Sequence, residues 1–390
     1  MKMRFLTLLA LTLSMASCQT DFVSEGQAGN EVDVCFSVGA PDLISVTRAD
    51  ADNMLDSAYG AIDYLTNAPR DNQDNIVDWD EVDLRYSLEV YDATDLTRPI
   101  KDRMVVVKPE YSDATFNVRL IAGRNYQIVV FADFIQQLDD AAVVDADVDA
   151  QRDLGLRHTI GANLTDITIK QDKDALNDEV ADAYFVSFAH TPNENAQNNV
   201  VEQTLHRPYA KVRVVATDLA ELNLNVHPKY VKVEYEVYDE GVVYPTKFNA
   251  VKGRLIKGEP VEGVAEESKV LTAEYVSEIR DNRDKHVYNT GYDDDVDVNN
   301  RASALTLFTD YILAAEGTQT PINFTMTVLD EKQVKIKEVK FDTQIPIQRN
   351  FLTTIAGNVL TTNTSITVNI NDNFYNADKT ENEPFYEVVE

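Results

Sequence analysis

The sequence contains little of what most enzyme and metal sites require. Its 390 residues include only two cysteines and five histidines. The histidines form no spaced cluster, which argues against a zinc site. Gly-x-Ser-x-Gly, Gly-rich phosphate-loop and His-Glu-x-x-His motifs are absent. We therefore predict a protein that is not an enzyme and needs no cofactor. A hydrolase with an unrecognised site is a third hypothesis, for which no set of residues with roles can be assembled.

Basic residues are scarce as well. The chain has 35 Lys and Arg against 66 Asp and Glu, a formal net charge of −31. Such a surface repels nucleic acid and anionic membranes, so we expect no nucleic-acid partner. The charge suits a protein that must stay soluble at high local density outside the cell. A solvated acidic surface without any meaning for partners explains it equally well.

Long apolar runs are missing too. The apolar run over residues 5–13 is too short to span a bilayer as a permanent helix, and no later segment is long and apolar enough. Because Lys2 and Arg4 precede this run, the first seventeen residues are typical of a signal peptide. We assign residues 1–17 to that signal peptide.

Small residues lead into the first cysteine, in the order Met15-Ala16-Ser17-Cys18. This run looks like a bacterial lipobox, although Met15 stands where leucine is usual. We predict that Cys18 carries the acyl chains, palmitate among them, which anchor the exported protein in the membrane. Cys35 then has no disulfide partner. A simple signal peptide cut near Ser17 is the competing interpretation.

The next predicted element is a β-strand in which apolar residues alternate strictly with other residues. Its apolar residues are Val32, Val34, Phe36 and Val38, and the residues between them are Asp33, Cys35 and Ser37. That period is typical of a half-buried β-strand. Arg48 lies downstream in a loop of small residues, where an Arg-specific protease could reach the backbone. An ordinary loop arginine is the alternative interpretation.

Many short strands with turn signals follow. Residues 82–90 alternate apolar and polar, residues 126–134 are apolar on both faces and hence predicted to be central, and residues 322–328 and 334–341 form a predicted hairpin. We predict one short helix near residues 54–62, a linker or long loop at 191–199, and an end of the regular structure at Ile370. Little helix among many strands indicates an all-β fold with one β-sandwich in each half.

Three further patterns are weaker candidates for sites. Asp145-x-Asp147-x-Asp149 and Asp293-x-Asp295-x-Asp297-x-Asn299 lack the Gly and Glu of a calcium loop, so we interpret them as solvated charge with at most weak Ca²⁺ binding. A sugar-stacking platform could be built from aromatic residues, although aromatics at strand spacing are usually core. Its members would be Trp79, Tyr91, Tyr235, Tyr238 and Tyr244.

Three stretches carry a resemblance to a known family. They are AGRNYQIVVFAD at residues 122–133, TLHRPYAKVR at 204–213 and IPIQRNFLTTIAGNVLT at 345–361. Together with the lipobox and the strand before Arg48, they make the chain resemble the fimbrillin family of Bacteroidetes, the subunits of type V pili and related major and minor fimbriae. More closely, it looks like a fimbrillin-like lipoprotein subfamily.

The resemblance implies two tandem transthyretin-like β-sandwich domains with few short helices. It divides the chain into a signal peptide (1–17), a lipidated propeptide with the first strand (18–48), an N-terminal β-sandwich (49–203) and a C-terminal β-sandwich with an acidic tail (204–390). It also implies cleavage between Arg48 and Ala49, and polymerisation with other fimbrial subunits by strand exchange. The location would be the outer membrane and cell surface, in a fimbrium.

Asp56-Ser57-Ala58 further matches an O-glycosylation pattern of exported Bacteroidales proteins, which makes Ser57 a candidate acceptor.

Two features depart from that family. The segment between Arg48 and the first mature strand is long, and the apolar run of the C-terminal tail, residues 385–389, does not alternate and so makes a poor donor strand. A tip, accessory or anchor subunit is therefore favoured as much as a stalk subunit. The alternative function is a monomeric surface lipoprotein that binds glycan or another host or bacterial surface ligand and keeps its first strand.

Overall fold

A computed structural model describes most of the chain from Glu31 onward. The described residues are 31–39, 82–109, 112–138, 154–170, 176, 179–195, 199–223, 225–235, 247–256, 273–278, 305–317, 319–361, 365–371 and 386–389. They form twenty strands and two three-residue 3-10 helices, Glu179–Ala181 and Leu219–Glu221. The prediction of an all-β sandwich fold is confirmed. None of these helices has the length and apolar character needed to cross a membrane.

The N-terminal strands form two sheets that enclose one core. Sheet A has the order β4-β1-β9 and sheet B the order β3-β2-β5-β8. The strands are β1 (Glu31–Gly39), β2 (Val82–Asp92), β3 (Met104–Lys108), β4 (Ala114–Ile121), β5 (Tyr126–Gln136), β8 (Ala183–His190) and β9 (Val200–Thr204). Alternate residues of β4 are buried and exposed, so sheet A has one face on the core and one face in solvent.

A small sheet C covers the other face of sheet B. Its order is β13-β12-β7-β6, with β6 (His158–Ile160), β7 (Ile167–Ile169), β12 (Lys247–Asn249) and β13 (Arg254–Leu255). A second core cluster joins these strands to Phe131 of β5 and to Tyr209 and Tyr311 from the C-terminal strands. Sheet C thus combines residues from both sides of the predicted division at 203/204, and that division stays a prediction.

The C-terminal strands enclose a third core between two further sheets. Sheet D has the order β15-β10-β18-β19-β20 and sheet E the order β14-β11-β16-β17. The strands are β10 (Tyr209–Ala216), β11 (Pro228–Tyr235), β14 (Ala273–Glu278), β15 (Leu305–Leu313), β16 (Thr320–Asp330), β17 (Lys335–Ile347), β18 (Leu352–Asn358), β19 (Ser365–Asn371) and β20 (Tyr386–Val389). The predicted hairpin is confirmed as β16 and β17.

Strand β2 differs from its alternating sequence. Its polar residues Asp83, Arg85, Ser87 and Glu89 are all at most 5% exposed, because sheet C covers the face that alternation would leave in water. Strand β5 pairs with β2 and β8 and is central, as predicted. A period of two therefore identified β2 as a strand but could not show how many of its faces are covered.

The sequence analysis did not predict several strands, β9 and β20 among them. Strand β9 lies between the loop predicted at residues 191–199 and the second series of strands, and β20 lies beyond Ile370, where regular structure was predicted to end. Neither has a pattern of its own: β9 is short and largely exposed, and β20 is only four residues long. Both exist because a neighbouring strand, β1 or β19, offers backbone partners.

Candidate functional site around the first strand

Strand β1 is the inner strand of sheet A. It runs antiparallel to β4, with Val34 opposite Val118 and Phe36 opposite Phe116, and parallel to β9, with Phe36 opposite Val201. In the described part of the chain, β4 and β9 meet no other partner in this sheet. Strand β1 therefore holds the sheet together.

One face of β1 is buried in the N-terminal core, as the alternation predicts. Val34, Phe36 and Val38 are 1%, 0% and 0% exposed, and Val32 is only partly buried. The ring of Phe36 lies edge-on to Phe188 and His190, with centroids 5.8 and 5.4 Å away. Phe36 is thus the aromatic anchor of the strand.

The opposite face of β1 is less open than its sequence suggests. Cys35 is 7% exposed and Ser37 is partly buried, whereas Asp33 lies in solvent beside Arg119, 3.5 Å away. The sequence contains no sign that the Cys35 side would be covered. Because the Asp33–Arg119 pair is exposed, it contributes at most about 1 kcal/mol to holding the strand.

Asn199 fixes the start of β9 beside β1. It is 1% exposed, its side chain bonds the backbone N–H and C=O of Asn193, and its own carbonyl accepts the Cys35 N–H at 2.9 Å. At the other end, the Leu205 N–H donates to the Gly39 carbonyl at 3.1 Å. Backbone hydrogen bonds therefore join β1 to the β9 side at both ends of their pairing, and we call the groove between β4 and β9 that β1 fills the β1 groove.

The two ends of β1 are held unequally. Residues 35–38 pair with both β4 and β9, whereas residues 31–34 pair with β4 alone among the described strands. On the face that points away from the core, the burial follows the same division, since Glu31 and Asp33 are exposed whereas Cys35 is buried and Ser37 is partly buried. We infer that the strand loosens first at its N-terminal end, where fewer hydrogen bonds must break.

A second cluster of functional-looking residues lies between sheets B and C. The guanidinium of Arg85 donates two hydrogen bonds to the Asp133 carboxylate, at 2.9 and 2.7 Å, and both residues are at most 1% exposed. The His158 ring lies 4.0 Å from Asp133 and 2.5 Å from the Tyr209 hydroxyl. These side chains connect three sheets and have no opening to solvent, which favours a structural role over a catalytic one.

Burial makes this cluster sensitive to acid. Desolvation lowers the pKa of His158 from 6.5 to about 4, and the nearby Asp133 charge opposes this only in part. The unfolded chain therefore takes up a proton below pH 6.5 that the folded chain refuses until about pH 4. We expect stability to be intact above pH 6.5 and to fall by about 3 kcal/mol between pH 6.5 and 4.

Urea unfolding at several pH values checks this expectation. His158→Gln should remove that part of the pH dependence, whereas the matched change at the exposed His206 should leave it in place. Parallel pH profiles for the wild type and His158→Gln would contradict the assignment of this acid sensitivity to His158.

The buried Glu89 carboxylate forms a neighbouring hydrogen-bonded cluster. The Glu89 carboxylate accepts hydrogen bonds from Arg103 at 2.8 Å, from the Leu164 N–H at 2.8 Å and from the Tyr91 hydroxyl. Burial and this carboxylate raise the pKa of Tyr91. Glu89 therefore links sheet B to the loop before β7. Its hydrogen bonds serve this structural contact and not general acid–base chemistry.

Most of the site residues predicted from sequence lie outside the described residues. These are Cys18, Arg48, Ala49, Ser57 and the predicted helix at 54–62, together with Trp79, Tyr238, Tyr244 and both aspartate runs. Within the described residues, no group of three His, Cys, Asp or Glu side chains could hold a metal ion.

The aromatic platform is wrong for the two members that can be placed. Tyr91 and Tyr235 are 0% and 2% exposed and belong to different cores. Both are therefore core residues, as expected for aromatics at strand spacing, and neither can stack on a sugar.

Comparisons with known structures find fimbrial proteins. The chain is similar to a fimbrial assembly protein from Parabacteroides distasonis, at 12% identity and a TM-score of 0.38, covering 91% of this chain and 98% of that one. It is also similar to the fimbrial anchor protein Mfa2 from Porphyromonas gingivalis, at 11% identity and a TM-score of 0.36, with 89% and 100% covered. The tip fimbrial protein Mfa3 from the same organism, truncated at its C-terminus, matches at 10% identity and a TM-score of 0.35, with 87% and 99% covered.

Sequence comparison places the chain in one family. No curated protein matches the sequence. A family profile described as a family of unknown function, DUF6562, matches residues 25–387, which is nearly the whole chain. The protein therefore belongs to the DUF6562 family.

Proposed function

We propose that this protein is a fimbrial subunit with an exchangeable first strand. It is exported as a lipoprotein anchored through Cys18, and cleavage between Arg48 and Ala49 lets a neighbouring subunit replace β1. The observation that carries the proposal is the position of β1, the inner strand of sheet A, which ends at Gly39 shortly before Arg48. The mature subunit then belongs to a fimbrium at the outer membrane and cell surface, with Ser57 as a candidate O-glycosylation site.

The energetics suit a strand that is held firmly but can be replaced. Three side chains of β1 are fully buried, and each contributes about 1.5–3 kcal/mol when buried. Their sum, about 5–9 kcal/mol, is an upper bound because unfolded chains already bury some area. An intact precursor is therefore capped by its own strand, and loss of β1 exposes an apolar groove and the edges of β4 and β9. An incoming strand restores both by β-augmentation.

Arg48→Ala tests this function directly. We expect the wild-type protein on the cell surface to begin at Ala49 and to assemble, and the variant to keep residues 18–48 and stay monomeric. Mass spectrometry of the surface protein gives the N-terminus, and size-exclusion chromatography gives the assembly state. Arg70→Ala is the matched control, since Arg70 also follows small residues and a turn signal, and it should change neither result.

The same measurement separates the alternative function. An acylated Cys18 with β1 still attached in the wild-type surface protein would contradict strand exchange. It would support the monomeric surface lipoprotein that binds a glycan or host ligand. Assembly that persists in Arg48→Ala would likewise contradict the proposed cleavage.

A further inference from the structure

The β1 groove recognises side chains as well as backbone. Phe36 fills the middle of the groove, 0% exposed, between the β4 ladder and the rings of Phe188 and His190. Val34 and Val38 flank it at a spacing of two and are as deeply buried. An occupant without an aromatic residue at the central position would leave a cavity next to both rings.

The opposite face of the groove sets a size limit. Cys35 lies at the position where β1 first pairs with both neighbours, and it is 7% exposed. The carbonyl of the buried Asn199 approaches the Cys35 backbone at 2.9 Å. Because Cys35 is nearly covered, a long charged side chain at this position would have to push its neighbours aside, so we expect the groove to favour a small uncharged residue here.

The backbone pairing fixes the direction of the occupant. Strand β1 is antiparallel to β4 and parallel to β9, and these two arrangements have different hydrogen-bond patterns. A strand inserted in the reverse direction would be parallel to β4 and antiparallel to β9. It would then misalign the bonds from Cys35 to Asn199 and from Leu205 to Gly39.

We infer that the occupant that replaces β1 is a strand of a different protein, with the order aliphatic, small, phenylalanine, small, aliphatic. It runs parallel to β9. This inference rests on the proposed function, because it specifies the partner of that same groove. The occupant is thus recognised by a central phenylalanine and a small residue immediately before it.

The chain's own C-terminal tail does not have this order. Placing Tyr386 at the position of Phe36 puts Phe385 at the small position and Pro384 at that of Val34. Placing Phe385 there puts Glu387 at the buried position of Val38. In the folded chain, moreover, β20 pairs with β19 at the edge of sheet D. The C-terminal tail of another copy therefore does not fit the groove, which favours a second kind of subunit as the partner.

Peptide competition tests the specificity. Residues 46–49 of the full chain are replaced by the recognition site of a specific protease, and the folded protein is cut there and fluorescently labelled on the released fragment. The cut protein is unfolded in urea and refolded with an excess of synthetic peptide, so that the slow loss of β1 does not limit the result. Peptide binding and fragment release are then measured by fluorescence anisotropy.

Four peptides distinguish the outcomes. A peptide of residues 31–39 should compete with the fragment. Its Phe36→Ala form should bind about a hundredfold more weakly, and its Cys35→Lys form and a peptide of residues 381–390 should not compete. Equal binding by all four would overturn the specificity while leaving strand exchange intact. Failure of every peptide, with recovery of the native fragment complex, would instead contradict strand exchange itself.

The uncut protein provides a second measurement if the cut protein does not refold. In the full chain, Cys35→Lys should lower the midpoint of thermal unfolding markedly, whereas Cys35→Ala and Asp33→Lys should change it little. Equal midpoints for Cys35→Lys and Asp33→Lys would show that the position of Cys35 has no size limit, and would overturn the inference.

Discussion

Replacing Asp133 with alanine should lower the free energy of unfolding by about 3–5 kcal/mol. The change leaves the Arg85 guanidinium, which is 1% exposed, without the carboxylate that accepts two of its hydrogen bonds. An ionised group that loses its counter-charge in a dry interior cannot be rehydrated without opening sheet C from sheet B. Urea unfolding followed by circular dichroism measures the loss.

Two further variants test whether burial of the ion pair causes this loss of stability. Glu338→Ala breaks an ion pair with Lys335, in which the side chains are 52% and 58% exposed, and it should cost less than about 1 kcal/mol. The double variant Arg85→Met with Asp133→Leu removes both charges and should recover much of the stability lost in the single variant. A loss in Asp133→Ala no larger than that in Glu338→Ala would contradict the buried pair as a stabilising contact.

Phe36→Ala should destabilise the uncut protein by about 3–5 kcal/mol. The substitution empties the centre of the N-terminal core and removes the edge-on contacts with Phe188 and His190. Because β1 joins β4 to β9, the loss should also weaken the pairing of both strands. Thermal and urea unfolding of the full chain measure it, and hydrogen exchange locates it in sheet A.

The same variant should behave differently in the mature subunit that the proposed strand exchange would produce. After cleavage and exchange, residue 36 no longer belongs to the fold, so Phe36→Ala should leave the stability of the mature subunit unchanged. Val200→Ala is a control on β9, because Val200 is 55% exposed and its truncation should cost less than about 0.5 kcal/mol in either form. A persistent loss in the mature protein would mean that β1 stays in place.

The strongest local patterns in the sequence were sufficient to place several strands. The alternation at residues 31–39 identified β1 and its buried face, and the two neighbouring runs at 322–328 and 334–341 identified the β16–β17 hairpin. The unbroken apolar run of β5 correctly indicated a central strand. In each case the pattern is set by neighbours in sequence, and a period of two or a turn motif reports it.

Other features could not be found this way. Strand β9 has no alternating pattern, yet it forms one wall of the β1 groove because β1 pairs with it. The polar face of β2 looks solvent-exposed in sequence, but Arg85 meets Asp133 from a strand 48 residues away, and sheet C covers the pair. Spacing favoured the core for Tyr91 and Tyr235, but only the structure shows that they belong to two different cores.

The sequence by itself determined that this is an acidic all-β chain with a half-buried first strand, because composition and periodicity act along the chain. Only the tertiary structure decided that this strand lies between β4 and β9, that both faces of β2 are dry, and that the C-terminal residues pair with β19. These outcomes depend on which distant segments supply hydrogen-bond partners and cover polar groups, and burial of a polar residue is tolerated only where such partners meet it.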